Sequence, residues 1–119
     1  MKRILVVEDS KSEQLLISGL LKPLGEVVAF DNGEAALVWL EENPSPDLIF
    51  LDIVMPDISG YDLCRRIRNK LENVPIVFCS TKSEDYDKFW ALRQGGNAYV
   101  TKPYSPSDLV KTAKDYLTK

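Results

Sequence analysis

Acidic side chains follow two apolar stretches of the sequence, at the point where each stretch ends. Glu8 and Asp9 come directly after the run ILVV, and Asp52 follows the run LIFL. Carboxylates at the edge of an apolar core cost free energy unless a cation lies among them. Carboxylate oxygens are also the ligands that Mg²⁺ takes in proteins. The pattern therefore indicates a cation site, and the neighbouring groups decide which chemistry it serves.

Hydroxyl and ammonium groups follow two further apolar runs. Ser80 and Thr81 come after IVFC, and Lys102 comes after AYVT. The carboxyl ends of parallel strands share one edge of an open α/β sheet, and ligands bind at that edge. If the first and third strands are neighbours, the acids, the hydroxyls and the lysine converge there. This set suits phosphoryl transfer, because a carboxylate can become an aspartyl phosphate while Mg²⁺ and a lysine neutralise the phosphoryl charge.

The composition excludes several other classes of chemistry. The sequence has no histidine, so Ser-His-Asp and Cys-His nucleophiles and histidine zinc sites are excluded. The net charge of −3 argues against a nucleic-acid partner. No apolar run approaches the roughly 20 residues that span a bilayer, so membrane insertion is not expected. Cys64 and Cys79 lack metal-ligand or disulfide spacing, which is typical of reduced thiols in a cytoplasmic protein.

The chemistry-bearing residues need elements to position them, and the hydrophobic pattern predicts ten. Short runs rich in β-branched and aromatic residues predict buried parallel strands at 3–7, 26–30, 47–51, 76–80 and 98–101. Helical patterns lie at 12–22, 33–42, 60–69, 84–94 and 106–117. This alternation predicts an α/β fold with a doubly wound parallel sheet. The length of 119 residues is that of about one domain.

Some residues have predicted structural rather than chemical roles. The helical pattern of residues 12–22 is carried by Leu15, Leu16, Leu20 and Leu21, and Ser83 is expected to precede the fourth helix as its cap. By helical spacing, Phe89, Trp90 and Tyr104 are expected to lie partly in the core, with an exposed remainder that suits a partner. Asp57 is expected to be a solvated turn residue.

Four motifs in combination resemble the receiver domain of bacterial two-component response regulators, the CheY-like family. They are VVED, LDIVMPDISG, CST and YVTKPY, which follow or surround strands one, three, four and five. The resemblance covers essentially the whole chain and implies one receiver domain, residues 1–119, with the flavodoxin-like (βα)5 sheet order 2-1-3-4-5. The stretch FCSTKSEDYDKFWALRQGGNAY is similar to PilH-type pilus regulators.

The resemblance implies a role for each residue of the acidic site. Asp52 matches the phosphoacceptor and also a ligand of Mg²⁺. Glu8 and Asp9 match the acidic pair that holds Mg²⁺, Asp9 directly and Glu8 through water. The backbone carbonyl of Val54 matches a further metal ligand, and Lys102 matches the lysine that contacts the phosphoryl group.

The resemblance also implies a switch beside that site. Ser80 matches the switch hydroxyl, and Tyr99 matches an aromatic side chain that turns inward when the hydroxyl moves. The Lys102–Pro103 peptide bond matches one that the family usually holds in cis. Thr81 departs from the family, which commonly has Ala or Gly there, so either Ser80 or Thr81 could supply the hydroxyl.

The partners implied are those of a signalling switch with no separate substrate, and not those of an enzyme. A sensor histidine kinase or histidine phosphotransfer protein is expected as the phosphoryl donor. Phosphorylation is then expected to switch the face of helix four, strand five and helix five for a downstream protein target. A monomer or weak dimer is expected. Met1 favours a single-domain regulator, and a piece of a larger regulator is the alternative.

Three other functions compete with this interpretation. A haloacid-dehalogenase-type phosphohydrolase needs an Asp two residues after its nucleophile, where this chain has Val54. A flavodoxin needs a phosphate loop after strand one, and the acidic VEDSKSEQ would repel phosphate. A receiver that is never phosphorylated and serves only as an interaction module is the third, and the intact acids and lysine argue against it.

Overall fold

The computed structural model describes residues 1–118 and contains five strands and five α-helices in strict alternation. The strands are β1 (Arg3–Val7), β2 (Glu26–Phe30), β3 (Leu48–Leu51), β4 (Ile76–Ser80) and β5 (Ala98–Thr101). The helices are α1 (Lys11–Leu21), α2 (Gly33–Glu42), α3 (Gly60–Arg68), α4 (Asp85–Arg93) and α5 (Pro106–Leu117). A short 3-10 helix, Lys22–Leu24, follows α1. None of the helices in this part of the chain is long and apolar enough to cross a membrane.

The strands form one parallel sheet in the order β2-β1-β3-β4-β5. This confirms the predicted doubly wound, flavodoxin-like α/β fold. Val7 pairs with Leu51 in the register of β1 and β3, and Ser80 pairs with Thr101 in that of β4 and β5. The residues that follow these pairs therefore leave the sheet at the same edge.

Two apolar layers cover the faces of the sheet. The side chains of β3 are all buried and alternate between the layers, with Ile49 on one side and Phe50 on the other. Helices α2, α3 and α4 pack on the first side, and α1 and α5 pack on the second. Because both faces are covered, continuous apolar runs in the central strands are what the fold requires.

Helix α1 buries different residues from those that its apolar content suggests. In α1 the buried residues are Gln14, Ile17 and Leu21, whereas Leu15 and Leu16 are exposed. Of the four leucines that carry the predicted pattern, Leu20 and Leu21 therefore pack against the core, and Leu15 and Leu16 do not. The buried set follows the helical spacing of three and four residues, which two adjacent leucines cannot share with it.

Helix α4 packs through small and polar residues. Asp87 and Ala91 are buried, but Phe89 is 58% exposed and Trp90 is 38% exposed. The chain after α4 passes very close to the sheet, because a Cβ added at Gly96 would lie 2.7 Å from the ring of Phe78. Because the chain and the sheet are so close here, only a small side chain such as Ala91 fits between them. The expectation that Phe89 contributes to the core is therefore wrong.

Polar side chains fix the helix starts. Ser10, Asn32, Ser59 and Ser105 each accept a hydrogen bond from a backbone N–H of the first turn that follows. The start of α4 lies one residue later than predicted, since Glu84 and not Ser83 occupies the capping position. The backbone N–H of Glu84 donates to Asp87 Oδ2 at 3.3 Å, which favours this start.

Candidate functional site

Three carboxylates meet at the edge of the sheet where β1 and β3 end. The N–H of Glu8 still bonds the carbonyl of Phe30 on β2, and the N–H of Asp52 bonds that of Val7, both at 3.0 Å. The two residues are therefore held by the strand ladder as it terminates. One carboxylate oxygen from each of Glu8, Asp9 and Asp52 lies within 4.8 Å of the others. These oxygens fit the donor set of a hard divalent cation.

Glu8 is the buried member of this cluster, with 1% of its surface exposed. Its Oε2 accepts a hydrogen bond from the N–H of Ser10 at 3.0 Å, and its Oε1 accepts one from Lys102 Nζ. Burial raises the pKa of Glu8 to about 7, although the bond from Lys102 opposes the shift. Burial thus works against the charged form of Glu8, and a cation bound among the three carboxylates would favour that form.

Lys102 supplies the ammonium at this edge. Its side chain is 9% exposed, and Nζ lies 3.6 Å from Asp52 Oδ2 in addition to its contact with Glu8. Burial works to lower the pKa of Lys102, but the bond to Glu8 and the charge of Asp52 outweigh it and raise the pKa. The peptide bond from Lys102 to Pro103 is cis. The N–H of Lys102 also bonds the carbonyl of Ser80 at 2.8 Å, so the end of β4 positions the lysine.

Sequence reasoning missed a fourth acid near the lysine. Glu13 Oε2 lies 3.9 Å from Lys102 Nζ. Its position in the first turn of α1, three residues after the Ser10 cap, is that of an ordinary helix-capping acid. Nothing in its spacing from Asp52 or Lys102 could have indicated the contact.

Asp52 is accessible but fixed. Its side chain is 12% exposed, and its Oδ1 accepts the N–H of Ile53 at 2.7 Å. The chain returns to the base of this loop at Gly60, whose N–H bonds the carbonyl of Ile53 at 2.7 Å. A Cβ at Gly60 would lie 2.1 Å from the backbone oxygen of Asp52, so only glycine permits this approach. Val54 lies in this loop, between Ile53 and Gly60, and is 58% exposed.

Asp57 has a structural partner that the sequence did not reveal. It is exposed, as expected, but its Oδ1 and Oδ2 accept the backbone N–H groups of Gly33 and Glu34 at 3.1 and 2.8 Å. Slight burial works to raise the pKa of Asp57, but the hydrogen bonds from these two N–H groups outweigh it and lower the pKa below its usual value. The loop after Asp52 is therefore tied to the start of α2.

The two candidate hydroxyls after β4 differ in environment. Ser80 is buried at 1% exposure, and its Oγ accepts the N–H of Lys82 at 3.3 Å, whereas Thr81 is exposed. The hydroxyl of Tyr99 donates to the carbonyl of Lys82 at 2.6 Å, and its ring stacks on Phe78 with centroids 6.4 Å apart. Burial raises the pKa of Tyr99 to about 12. Ser80 and Tyr99 are thus joined through the backbone of Lys82.

The family model of the response regulator receiver domain matches residues 4–114. The chain belongs to this family. Receiver domains of the family are signalling domains of two-component systems, which interact with histidine kinases and with downstream effectors. The match confirms the resemblance that the four motifs carried.

Named relatives agree with this receiver assignment. The chain is 36% identical over 115 residues to protein PilH of Pseudomonas aeruginosa, covering 94% of each. It is 38% identical to the transcriptional regulatory protein BaeR of Escherichia coli, but spans only 48% of that protein's length. A two-component response regulator from Clostridium difficile has a structure that matches with a TM-score of 0.93 at 32% identity, over 100% of this chain and 98% of that one.

The receiver domain carries an aromatic surface on α4. Tyr86 is 68% exposed and stacks on Trp90, with ring centroids 6.5 Å apart. The guanidinium of Arg93 lies 5.7 Å from the ring centre of Phe89. Tyr104 is partly buried and packs against the apolar layer beneath α1 and α5, as expected. We call Tyr86, Phe89, Trp90 and Leu92 the α4 patch.

Proposed function

We propose that the domain is a phosphorylation-controlled switch in which Asp52 accepts the phosphoryl group. The observation that supports this most is the contact set around Asp52. Two further carboxylates reach it within 4.8 Å, and the ammonium of Lys102 lies 3.6 Å from its Oδ2. A structural cap or surface acid would not need three acids and a lysine gathered at one accessible edge.

The reaction that we propose is a direct transfer. A carboxylate oxygen of Asp52 attacks the phosphorus of the donor and forms a new O–P bond. The bond from phosphorus to the donor's histidine nitrogen breaks, and its electron pair leaves with the imidazole. With an acyl phosphate as donor, an O–P bond breaks and a carboxylate leaves. Attack by water later returns inorganic phosphate and the free Asp52 carboxylate.

The residues around Asp52 suit the charge that this transfer creates. Glu8, Asp9, Asp52 and the backbone carbonyl of Val54 would hold Mg²⁺, which neutralises phosphoryl oxygens when bound. Lys102 is already within reach of Asp52 and is held charged by Glu8. It would therefore contact the phosphoryl group without moving far, and the hydroxyl of Ser80 or Thr81 would donate a hydrogen bond to a phosphoryl oxygen.

The donor and the output complete the proposal. Because this chain has no histidine, the phosphohistidine must belong to a sensor histidine kinase or a phosphotransfer protein. We propose that Ser80 and Tyr99 transmit the change to the face of α4, β5 and α5, where a downstream protein binds. A pathway of the PilH type fits the similarity to PilH. Residues 1–119 would act as one receiver domain in the cytoplasm, as a monomer or weak dimer.

Intact-protein mass spectrometry after incubation with acetyl phosphate tests the proposal. The wild type should gain one phosphoryl group, about 80 Da, in Mg²⁺ and not in EDTA. Asp52→Ala should gain nothing under either condition, while Asp115→Ala, which removes an exposed acid on α5, should still be phosphorylated. No gain in the wild type, even with a cognate kinase, or an equal gain in Asp52→Ala, would contradict it.

A further inference from the structure

The loop between Asp52 and α3, residues 53–59, is anchored at two places. At its base, the N–H of Gly60 bonds the carbonyl of Ile53, and Ile53 is buried. At its far end, Asp57 and Ile58 meet α2. The Ile58 side chain lies against Gly33, where an added Cβ would be 2.5 Å from Ile58 Cγ1. The first anchor depends on a close backbone approach at Gly60, and the second packs the Ile58 side chain against Gly33.

Val54 lies between these anchors and has little packing of its own. Its side chain is 58% exposed, so its own contacts with the core do not fix the backbone there. The position of its carbonyl must therefore follow from the residues on each side. Asp57 makes the polar part of the second anchor, through two hydrogen bonds to consecutive N–H groups at the start of α2.

We propose that Asp57 is a positioning residue for the Mg²⁺ site, which fixes the loop that carries the Val54 carbonyl by tying it to the start of α2. This inference rests on the proposed function, because the metal role of Val54 belongs to that function. Asp57 itself has no hydrogen bond or ion pair with Glu8, Asp9 or Asp52, and both of its carboxylate oxygens bond to the start of α2. It acts through the backbone of the loop, as outer groups commonly orient metal ligands.

Asn32 provides a matched control at the same helix end. Its Oδ1 accepts the N–H of Ala35 at 2.8 Å, so it caps α2 as Asp57 does, but it belongs to the β2–α2 connection and has no bond to residues 53–59. Asn32→Ala and Asp57→Ala therefore both weaken the start of α2. Only Asp57→Ala releases the loop.

Calorimetric titration with Mg²⁺ alone tests the inference, on the full chain and its variants Asp57→Ala, Asp57→Asn and Asn32→Ala. Asp57→Ala should raise the Mg²⁺ dissociation constant about tenfold, and Asn32→Ala should leave it near the wild-type value. Asp57→Asn loses the charge but keeps one acceptor oxygen, so it should recover part of the lost affinity.

Three outcomes would overturn the inference while leaving the proposed function intact. Unchanged affinity in Asp57→Ala would show that the loop holds itself in place. An equal loss in Asn32→Ala would assign the effect to helix stability, and an equal loss in Asp57→Asn would assign it to charge. A wild type that binds no Mg²⁺ would instead refute the proposed function, and this inference with it.

Discussion

At the scale of single residues, Lys102 has a tightly constrained position in the site. It contacts Glu8, lies 3.6 Å from Asp52 and 3.9 Å from Glu13, and its side chain is only 9% exposed. A lysine that merely coated the surface would keep its ammonium in water. Here the ammonium is held by several carboxylates next to the proposed phosphoacceptor, so its charge is in place before any phosphoryl group arrives.

Replacing this lysine should slow phosphorylation. In Lys102→Gln the amide can still donate to Glu8, but the positive charge near Asp52 is lost. We expect phosphorylation by acetyl phosphate to slow about 100-fold, as when other preorganised charge-stabilising groups are removed. Mass spectra of quenched time points measure the rate. The control is Lys111→Gln, whose side chain is 77% exposed on α5; if both variants react at the same rate, Lys102 has no part in the transfer.

Contacts between residues that follow the strand ends could be predicted from the sequence, whereas contacts made by loop residues could not. Glu8 and Lys102 are 94 residues apart, yet both follow strands whose carboxyl ends must share an edge. Asp57 and Gly33 are 24 residues apart, and no periodic pattern relates a turn residue to the start of another helix. Glu13 was missed for a similar reason, because a capping acid and a site acid have the same place in the sequence.

At the scale of elements, α4 shows why apolar content alone did not predict which side is buried. Its largest side chains point to solvent, while Asp87 and Ala91 face the molecule. The tight passage at Gly96 against Phe78 selects for small size on the packed side, and this constraint arises from the tertiary structure. In α3, by contrast, the apolar residues Leu63 and Ile67 are both buried, as their helical spacing of four residues suggests.

The exposure of Phe89 and the burial of Ile67 predict that removing the larger side chain costs less stability than trimming the smaller one. Phe89→Ala removes a whole ring but from an exposed position, so the free energy of unfolding should fall by less than about 0.5 kcal/mol. Ile67→Val removes one methyl group from a residue that is 2% exposed, and should cost about 1 kcal/mol. Urea unfolding followed by circular dichroism compares them. A larger loss for Phe89→Ala would mean that α4 packs through its aromatic side.

At the scale of the whole molecule, one short series of contacts leads from the acid cluster to the segment that enters α4. The N–H of Lys102 donates a hydrogen bond to the carbonyl of Ser80, and the N–H of Lys82 donates one to Ser80 Oγ. The hydroxyl of Tyr99 donates to the carbonyl of Lys82, three residues before α4 begins at Asp85. A hydroxyl drawn toward a phosphoryl group would give up its bond to Lys82, and this would bias the segment that enters α4.

Trp90 should report this coupling, since it stands on α4 and stacks on Tyr86. Trp39→Phe leaves Trp90 as the sole tryptophan, and acetyl phosphate with Mg²⁺ should then change its fluorescence. Adding Ser80→Ala should abolish most of that change while mass spectrometry still shows the phosphoryl group, because the acceptor remains and only the connecting hydroxyl is lost. If the change persists in Ser80→Ala and disappears in Thr81→Ala, Thr81 supplies the hydroxyl. If it persists in both, the signal reaches α4 without these hydroxyls, and the contact series through Lys82 does not carry the switch.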